Sequence, residues 1–262
     1  MRRFLIPALL LLPALAEAAP APRRVVSLNL CTDEYLLALA APAQIASISH
    51  LGHNRYESLW FDKARRFGTN GGTIESVAVQ RPDLIITMAG LTKDRGGLAH
   101  SLDSQLLALP FPTRVEDVAD NLHRLAQALG RPQAAAPWIR RINQLRATAP
   151  LRLRDATHVT SEGLTIAPDG LSAHWLELAG LRQRAANGNR ITSEMLLTMT
   201  PRLLVHSRYR PGQMARSQQW PGLRVVQGRP GWRVVETDGR GWLCGGPPMI
   251  DEILRLRRAV AS

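Results

Sequence analysis

Cysteine, lysine and aromatic side chains are scarce in this 262-residue chain, and long apolar runs are absent. Only Cys31 and Cys244 carry sulfhydryl groups. Two cysteines make no disulfide scaffold, and a chain of this size builds its core without one. No stretch reaches the ~18 uninterrupted apolar residues of a membrane-spanning helix. Aromatics are 5% of the chain, so several of them in neighbouring loops carry weight. Lysine occurs only at positions 63 and 93, and the other 31 of 33 basic residues are arginine. These arginines are dispersed rather than gathered in a stripe, which argues against a nucleic-acid binder. There is no G-x-S-x-G, no H-E-x-x-H and no phosphate loop, since Gly68–Gly72 (GTNGG) lacks the required Lys-Ser/Thr. Asp33-Glu34 reads as a helix start rather than a catalytic pair, and no catalytic residue is assigned.

What is present is an ordinary globular composition, 45% hydrophobic and 21% charged, behind an unusual beginning. Arg2 and Arg3 precede an apolar stretch from Phe4 to Ala16, and Ala16-Glu17-Ala18 offers a small-x-small cleavage pattern. Residues 1–18 are therefore read as a signal peptide, which implies export to the periplasm. Removing Arg2, Arg3 and Glu17 takes the net charge from +12 to +11. A lipoprotein would need its cysteine directly after the apolar stretch; Cys31 comes later, so a free, monomeric, soluble protein is expected.

The remainder alternates strand and helix signals. Residues 24–28 and 44–49 read as strands around a helix at 33–41, capped by Thr32 or Asp33. Thr73 caps a short helix that Arg81-Pro82 ends, and Asp83–Met88 is a strongly apolar strand. A helix at 98–108 and a short strand near 113–115 follow. Residues 117–149 carry no strand signal and read as a helical connector, with Pro137 in the first turn of its second stretch. Beyond it, strands are expected at 155–160, 203–206 and 232–236, and helices at 172–179, 192–199 and 248–260. The phrases TIESVAVQRPDLIIT and TSEMLLTMTPRLLVH repeat one pattern, a threonine cap, a glutamate, an apolar helix, a proline and an apolar strand. The expected fold is α/β, with a lobe at 19–116, a connector at 117–149 and a second lobe at 150–262.

Four segments carry a family resemblance: RRVVSLNLCTDEYLLALA, GTNGGTIESVAVQRPDLIIT, HWLELAGL with the later TSEMLLTMTPRLLVHS, and WLCGGPPMIDEILRL. Together they resemble the class III periplasmic solute-binding proteins of ABC importers, which serve iron-siderophores, haem and vitamin B12. The resemblance implies two Rossmann-like lobes with parallel sheets, joined by a single long helix and holding the ligand between them. It also implies a binding component rather than an enzyme, with an inner-membrane permease as partner and no cofactor of its own.

Loops at the carboxyl ends of parallel strands form the crevice in such sheets. Tyr56, Trp60, Tyr209 and Trp242 fall in those loops and suit large planar or hydrophobic ligands. Arg55, Arg208 and Arg210 flank them and suit carboxylate or catecholate oxygens. Cys31, His50, His53, His206 and Cys244 sit at predicted strand ends. Only the weak His50-x-x-His53 has metal-like spacing, so no resident metal is expected. The two cysteines remain open between thiols in the cleft, a cross-lobe disulfide and soft metal ligands. The ligand-binding set is Cys31, His53, Arg55, Tyr56, Trp60, His206, Arg208, Tyr209, Trp242 and Cys244. Glu75 and Glu194 match between the lobes, and the resemblance implies that they meet permease arginines. An iron-siderophore or similar metal chelate is the expected ligand, because a cationic protein suits an anionic chelate. Cobalamin or haem is the alternative within the family, and a secreted hydrolase the alternative outside it.

Overall fold

The computed structural model describes residues 20–89, 96–184, 188–199, 202–209 and 231–261. The signal-peptide reading at 1–18 lies outside them. In the first lobe, strands β1 (Val25–Ser27), β2 (Ile45–Ser49), β3 (Gly68–Asn70), β4 (Leu84–Met88) and β5 (Gln105–Leu109) form one sheet in the order β3-β2-β1-β4-β5. In the second, β6 (Arg154–Thr160), β7 (Leu181–Gln183), β8 (Leu203–Arg208) and β9 (Arg233–Asp238) form a sheet in the order β7-β6-β8-β9. Every described pairing is parallel. Parallel strands covered on both faces read as unbroken apolar runs, and β4 is buried at all five residues.

Helices supply those covers. The first lobe carries α1 (Leu30–Leu39), α2 (Phe61–Ala64), α3 (Ile74–Val77) and α4 (Gly96–Ser101). The second carries α7 (Leu171–Leu178), α8 (Ser193–Met199), α9 (Gly239–Cys244) and α10 (Met249–Ala261). Helix α1 starts three residues earlier than the sequence reading allows. Its cap is Asn29, whose side-chain oxygen accepts from Thr32 N at 3.0 Å. Thr73 caps α3 as expected, in a box with Ser76.

Three expectations need correction. Leu106, Leu107 and Leu109 continue a helical spacing in sequence, yet they lie in β5. The turn at Asp103, with φ 52°, ends the helical run. Thr113 and Arg114 belong to no strand; their amides donate to Asp117 and open the next helix. The connector is two helices, α5 (Val115–Ala128) and α6 (Ala136–Ala147), rather than one. Gly130 has φ 66°, a left-handed backbone that no ordinary helix continues, and a 3-10 turn at Pro132–Ala135 follows it.

Helix α6 touches both lobes. Trp138 Nε1 donates to Ala38 O at 3.2 Å in the first, and Arg257 Nη1 of the second reaches Thr148 Oγ1 just beyond α6 at 2.9 Å. One hydrophobic cluster runs through both lobes, from Val25 and Leu84 through Leu122, Ile142 and Leu145 to Leu176, Val205 and Ile253. A shared core of this kind resists separation of the lobes, because parting them exposes apolar surface.

Candidate functional site at the meeting of the lobes

Each sheet reverses its strand order once, between β1 and β4 in the first lobe and between β6 and β8 in the second. The crevice beyond such a reversal is where α/β sheets hold ligands. At the first reversal the small polar groups pair with one another. Asn29 Nδ2 donates to Thr87 Oγ1 at 3.2 Å, Ser27 and Thr32 hydroxyls lie 2.8 Å apart, and Asn70 Nδ2 donates to Ser27 O at 3.0 Å. At the second, Ser161 Oγ and His206 Nε2 are 3.2 Å apart.

The segment 50–60 of the first lobe then meets α9 and the end of β8. Arg240 Nη1 donates to Arg55 O at 2.8 Å and to Ser58 O at 3.2 Å. Asp238 holds that guanidinium in place, accepting from Nη2 at 2.6 Å and from Nε at 3.0 Å. The Tyr209 hydroxyl donates to Glu57 Oε2. Cys31 in the first turn of α1 and Cys244 at the end of α9 are joined by a disulfide, with Cα atoms 5.2 Å apart. The turn after it favours glycine at Gly245 and packs closely on Glu34 at Gly246. Gly245 has φ 60°, and a Cβ on Gly246 would lie 2.3 Å from Glu34 Oε2.

Several titratable groups are buried around this contact. Asp33 accepts from Ser49 N at 3.1 Å and Ser49 Oγ at 2.5 Å, yet burial pushes its carboxyl up to about 7. Glu34 is 3% exposed, and its Oε2 has no hydrogen-bond partner among the described residues. Burial, then the neighbouring Asp33, raises Glu34 well above the usual carboxylate range. On the second lobe, His158 is 1% exposed, and neither ring nitrogen has a hydrogen-bond partner among the described residues. Its ring lies 4.8 Å from that of Trp242, and burial, then the neighbouring His206, pushes it down to about 3. His206 is lowered as well, first by burial and then by Arg208, against the opposing pull of Glu236 and Glu162. The His158 imidazole is neutral at physiological pH.

The candidate residues of the sequence fall into distinct places. Arg55 and Tyr56 are exposed at the rim, Tyr56 at 48%, and His53 is half-buried with an unpartnered Nε2. His50 is exposed beside them. Arg208 is exposed and paired with Glu236 at 3.1 Å. Tyr209 and Trp242 are half-buried, and Trp242 Nε1 donates to Thr237 Oγ1 at 2.8 Å. Cys31 and Cys244 offer no thiol to a ligand. Trp60 is a packing residue, its rings 5.7 Å from those of Trp138 and part of the core. Glu75 and Glu194 are exposed in the first turns of α3 and α8, which occupy corresponding places before β4 and β8. Arg210 lies outside the described residues. Among the described residues, no three His, Cys, Asp or Glu side chains are grouped to hold a metal ion.

Sequence reasoning missed Glu57, His158 and Arg240. Only His158 left a local trace, as a polar residue within an otherwise buried strand signal. Tyr209, the partner of Glu57, and the carbonyls that Arg240 spans to lie more than a hundred residues away.

No sequence-family model matches the chain, and no curated protein sequence matches it. Solved structures do. A periplasmic haem-binding protein of Vibrio cholerae, HutB, superposes with a TM-score of 0.70 at 16% identity, covering 91% of this chain and 99% of that one. The periplasmic vitamin B12 binding protein BtuF of the same organism gives a TM-score of 0.65 at 19% identity, covering 92% and 97%. The siderophore-binding protein BauB, bound to ferric iron and two acinetobactin molecules, gives 0.69 at 16% identity, covering 92% and 93%. The chain thus has the two-lobed α/β fold of the periplasmic proteins that bind haem, vitamin B12 and siderophores.

Proposed function

We propose that the protein is the periplasmic substrate-binding component of an ABC importer, capturing an iron-siderophore or similar anionic metal chelate. The observation that supports this reading is the contact between the 50–60 segment and the end of the second sheet, where Tyr209 meets Glu57 and Arg240 meets the carbonyls of Arg55 and Ser58. Arg55 and Tyr56 come from one side, Arg208, Tyr209 and Arg240 from the other. Guanidinium groups bind carboxylate and catecholate oxygens in a bidentate way, and tyrosine rings cover flat ligand faces. The net charge of +11 on the mature chain steers anions toward it. The fold neighbours include a siderophore binder, and their haem and vitamin B12 ligands are the nearest alternatives.

In this reading the mature chain begins after Ala18. It carries a lobe on each side of the helices at 117–149 and turns over no substrate. Glu75 and Glu194 dock on matching arginines of the inner-membrane permease. Both are exposed at equivalent corners, which gives a two-point register.

Protein purified from its own periplasm should carry a ferric chelate detectable by mass spectrometry. Titration calorimetry should give one chelate per chain. A corrin or porphyrin absorbance band would replace the siderophore by cobalamin or haem. Hydrolysis of an ester or peptide, with no binding of any chelate, would overturn the transport reading.

A further inference from the structure

We propose that the Cys31–Cys244 disulfide is an interlobe latch, a second and covalent attachment that holds the cleft walls together in the oxidised protein. A two-lobed protein joined only through one connector can rotate about it. Here the connector passes through α5 and α6, and the disulfide adds a tie between lobes at residues 213 apart in sequence. Each sulfur is anchored on a helix that follows a sheet strand directly, α1 after β1 and α9 after β9, so motion of either sheet is passed to the bond.

The surroundings support a holding role. Arg240 spans the same contact to the carbonyls of Arg55 and Ser58, and Tyr209 spans it to Glu57. Against these, Glu34 sits beneath the turn at Gly246 with an unpartnered carboxyl oxygen. Hydration of that oxygen favours parting of the lobes, because a buried polar atom without a partner is unfavourable. The covalent bond opposes this tendency without depending on the surrounding hydrogen bonds. A small dithiol reduces the bond by exchange, giving two protein thiols while the dithiol is oxidised to its own disulfide.

The test needs no ligand, so its failure is separate from failure of the transport reading. Amide hydrogen exchange is compared for the oxidised protein, the protein reduced by dithiothreitol and the C31S/C244S variant. Exchange in segments 51–60 and 239–246 should rise at least tenfold on reduction, while β1, β4, β6 and β8 stay within about twofold. Should the double variant fail to fold, the reduced native chain supplies the same comparison. Y209F with the disulfide intact should change those segments by less than about twofold. The latch is wrong if reduction leaves the two segments unchanged, or if it accelerates the strands equally, which marks a purely global effect. It is also wrong if Y209F alone reproduces the acceleration, or if alkylation and mass spectrometry find two free thiols in periplasmic protein.

Discussion

The two strand-order reversals share a topology and differ in chemistry. In the first lobe Asn29, Ser27, Thr32, Asn70 and Thr87 are small and mutually hydrogen-bonded. In the second, His158 and His206 stand in the corresponding place, and neither ring nitrogen of His158 has a partner among the described residues. The comparison teaches that a parallel sheet needs only its backbone ladder to make the crevice. What fills the crevice is then free to be a rigid polar network on one side and neutral imidazole beside an indole on the other.

The largest test of how the halves cooperate is removal of the disulfide. Cross-linking two positions 213 residues apart restricts the unfolded chain strongly. Reduction should therefore lower unfolding free energy by about 3–5 kcal/mol in denaturant titration. An unchanged midpoint would mean that the unfolded chain is already compact near these positions.

Next in size is a pair of opposed pH effects. Asp33 releases its proton near 3.8 when unfolded and about 7 when folded, so its contribution is full below 3.8 and is lost as pH rises toward 7. His158 is the reverse: its contribution is full above 6.5 and is lost as pH falls toward about 3. Each spans at most roughly 5 kcal/mol, at about 1.4 kcal/mol per pKa unit. Denaturation midpoints from pH 3 to 8 should show that D33N lessens the decline on the alkaline side, the raised Glu34 supplying the remainder. H158Q should lessen the decline on the acid side, the lowered His206 supplying the remainder. If each variant shifts the whole curve evenly, the two groups do not titrate in this way.

A smaller contrast separates core from rim. Trp242→Ala removes an indole packed on His158 and hydrogen-bonded to Thr237, and should destabilise the protein by about 3 kcal/mol. Tyr56→Ala, at a 48% exposed residue, should change stability by under about 0.5 kcal/mol while weakening chelate binding. Equal losses of stability would erase the distinction.

The smallest effect on folding belongs to Glu75→Arg and Glu194→Arg. Both sites are exposed, so melting temperature and chelate affinity should hardly move. Transport into reconstituted vesicles should fall, more for the double variant than for either single one. Normal transport by the double variant would remove the docking role.

Much of the fold was legible because its signals are local. Thr73 and its Ser76 partner lie within one helical turn, and Pro137 marks the first turn of α6. The misreadings were local ambiguities. Leu106, Leu107 and Leu109 fit helical spacing as well as a strand, and hydrogen bonding to β4 settles them as β5. Asn29 reads as part of a strand end until its side chain is seen to accept from Thr32 N. The candidate site was legible in outline, since strand ends locate the crevice, but not residue by residue. Trp60 and Tyr56 lie four positions apart with similar surroundings in sequence, yet one packs on Trp138 and the other faces solvent.

By itself the sequence determined the alternation of strand and helix, the two parallel sheets and the matched positions of Glu75 and Glu194. Those follow from spacing and capping over a few residues, where the interacting groups are already neighbours along the chain. Only the tertiary structure decided that Cys31 pairs with Cys244, that Arg240 grips the carbonyls of Arg55 and Ser58, and that His158 is buried against Trp242. Such pairings depend on closing long loops and on which surfaces are dry once both lobes have packed, and no short stretch of sequence contains that information.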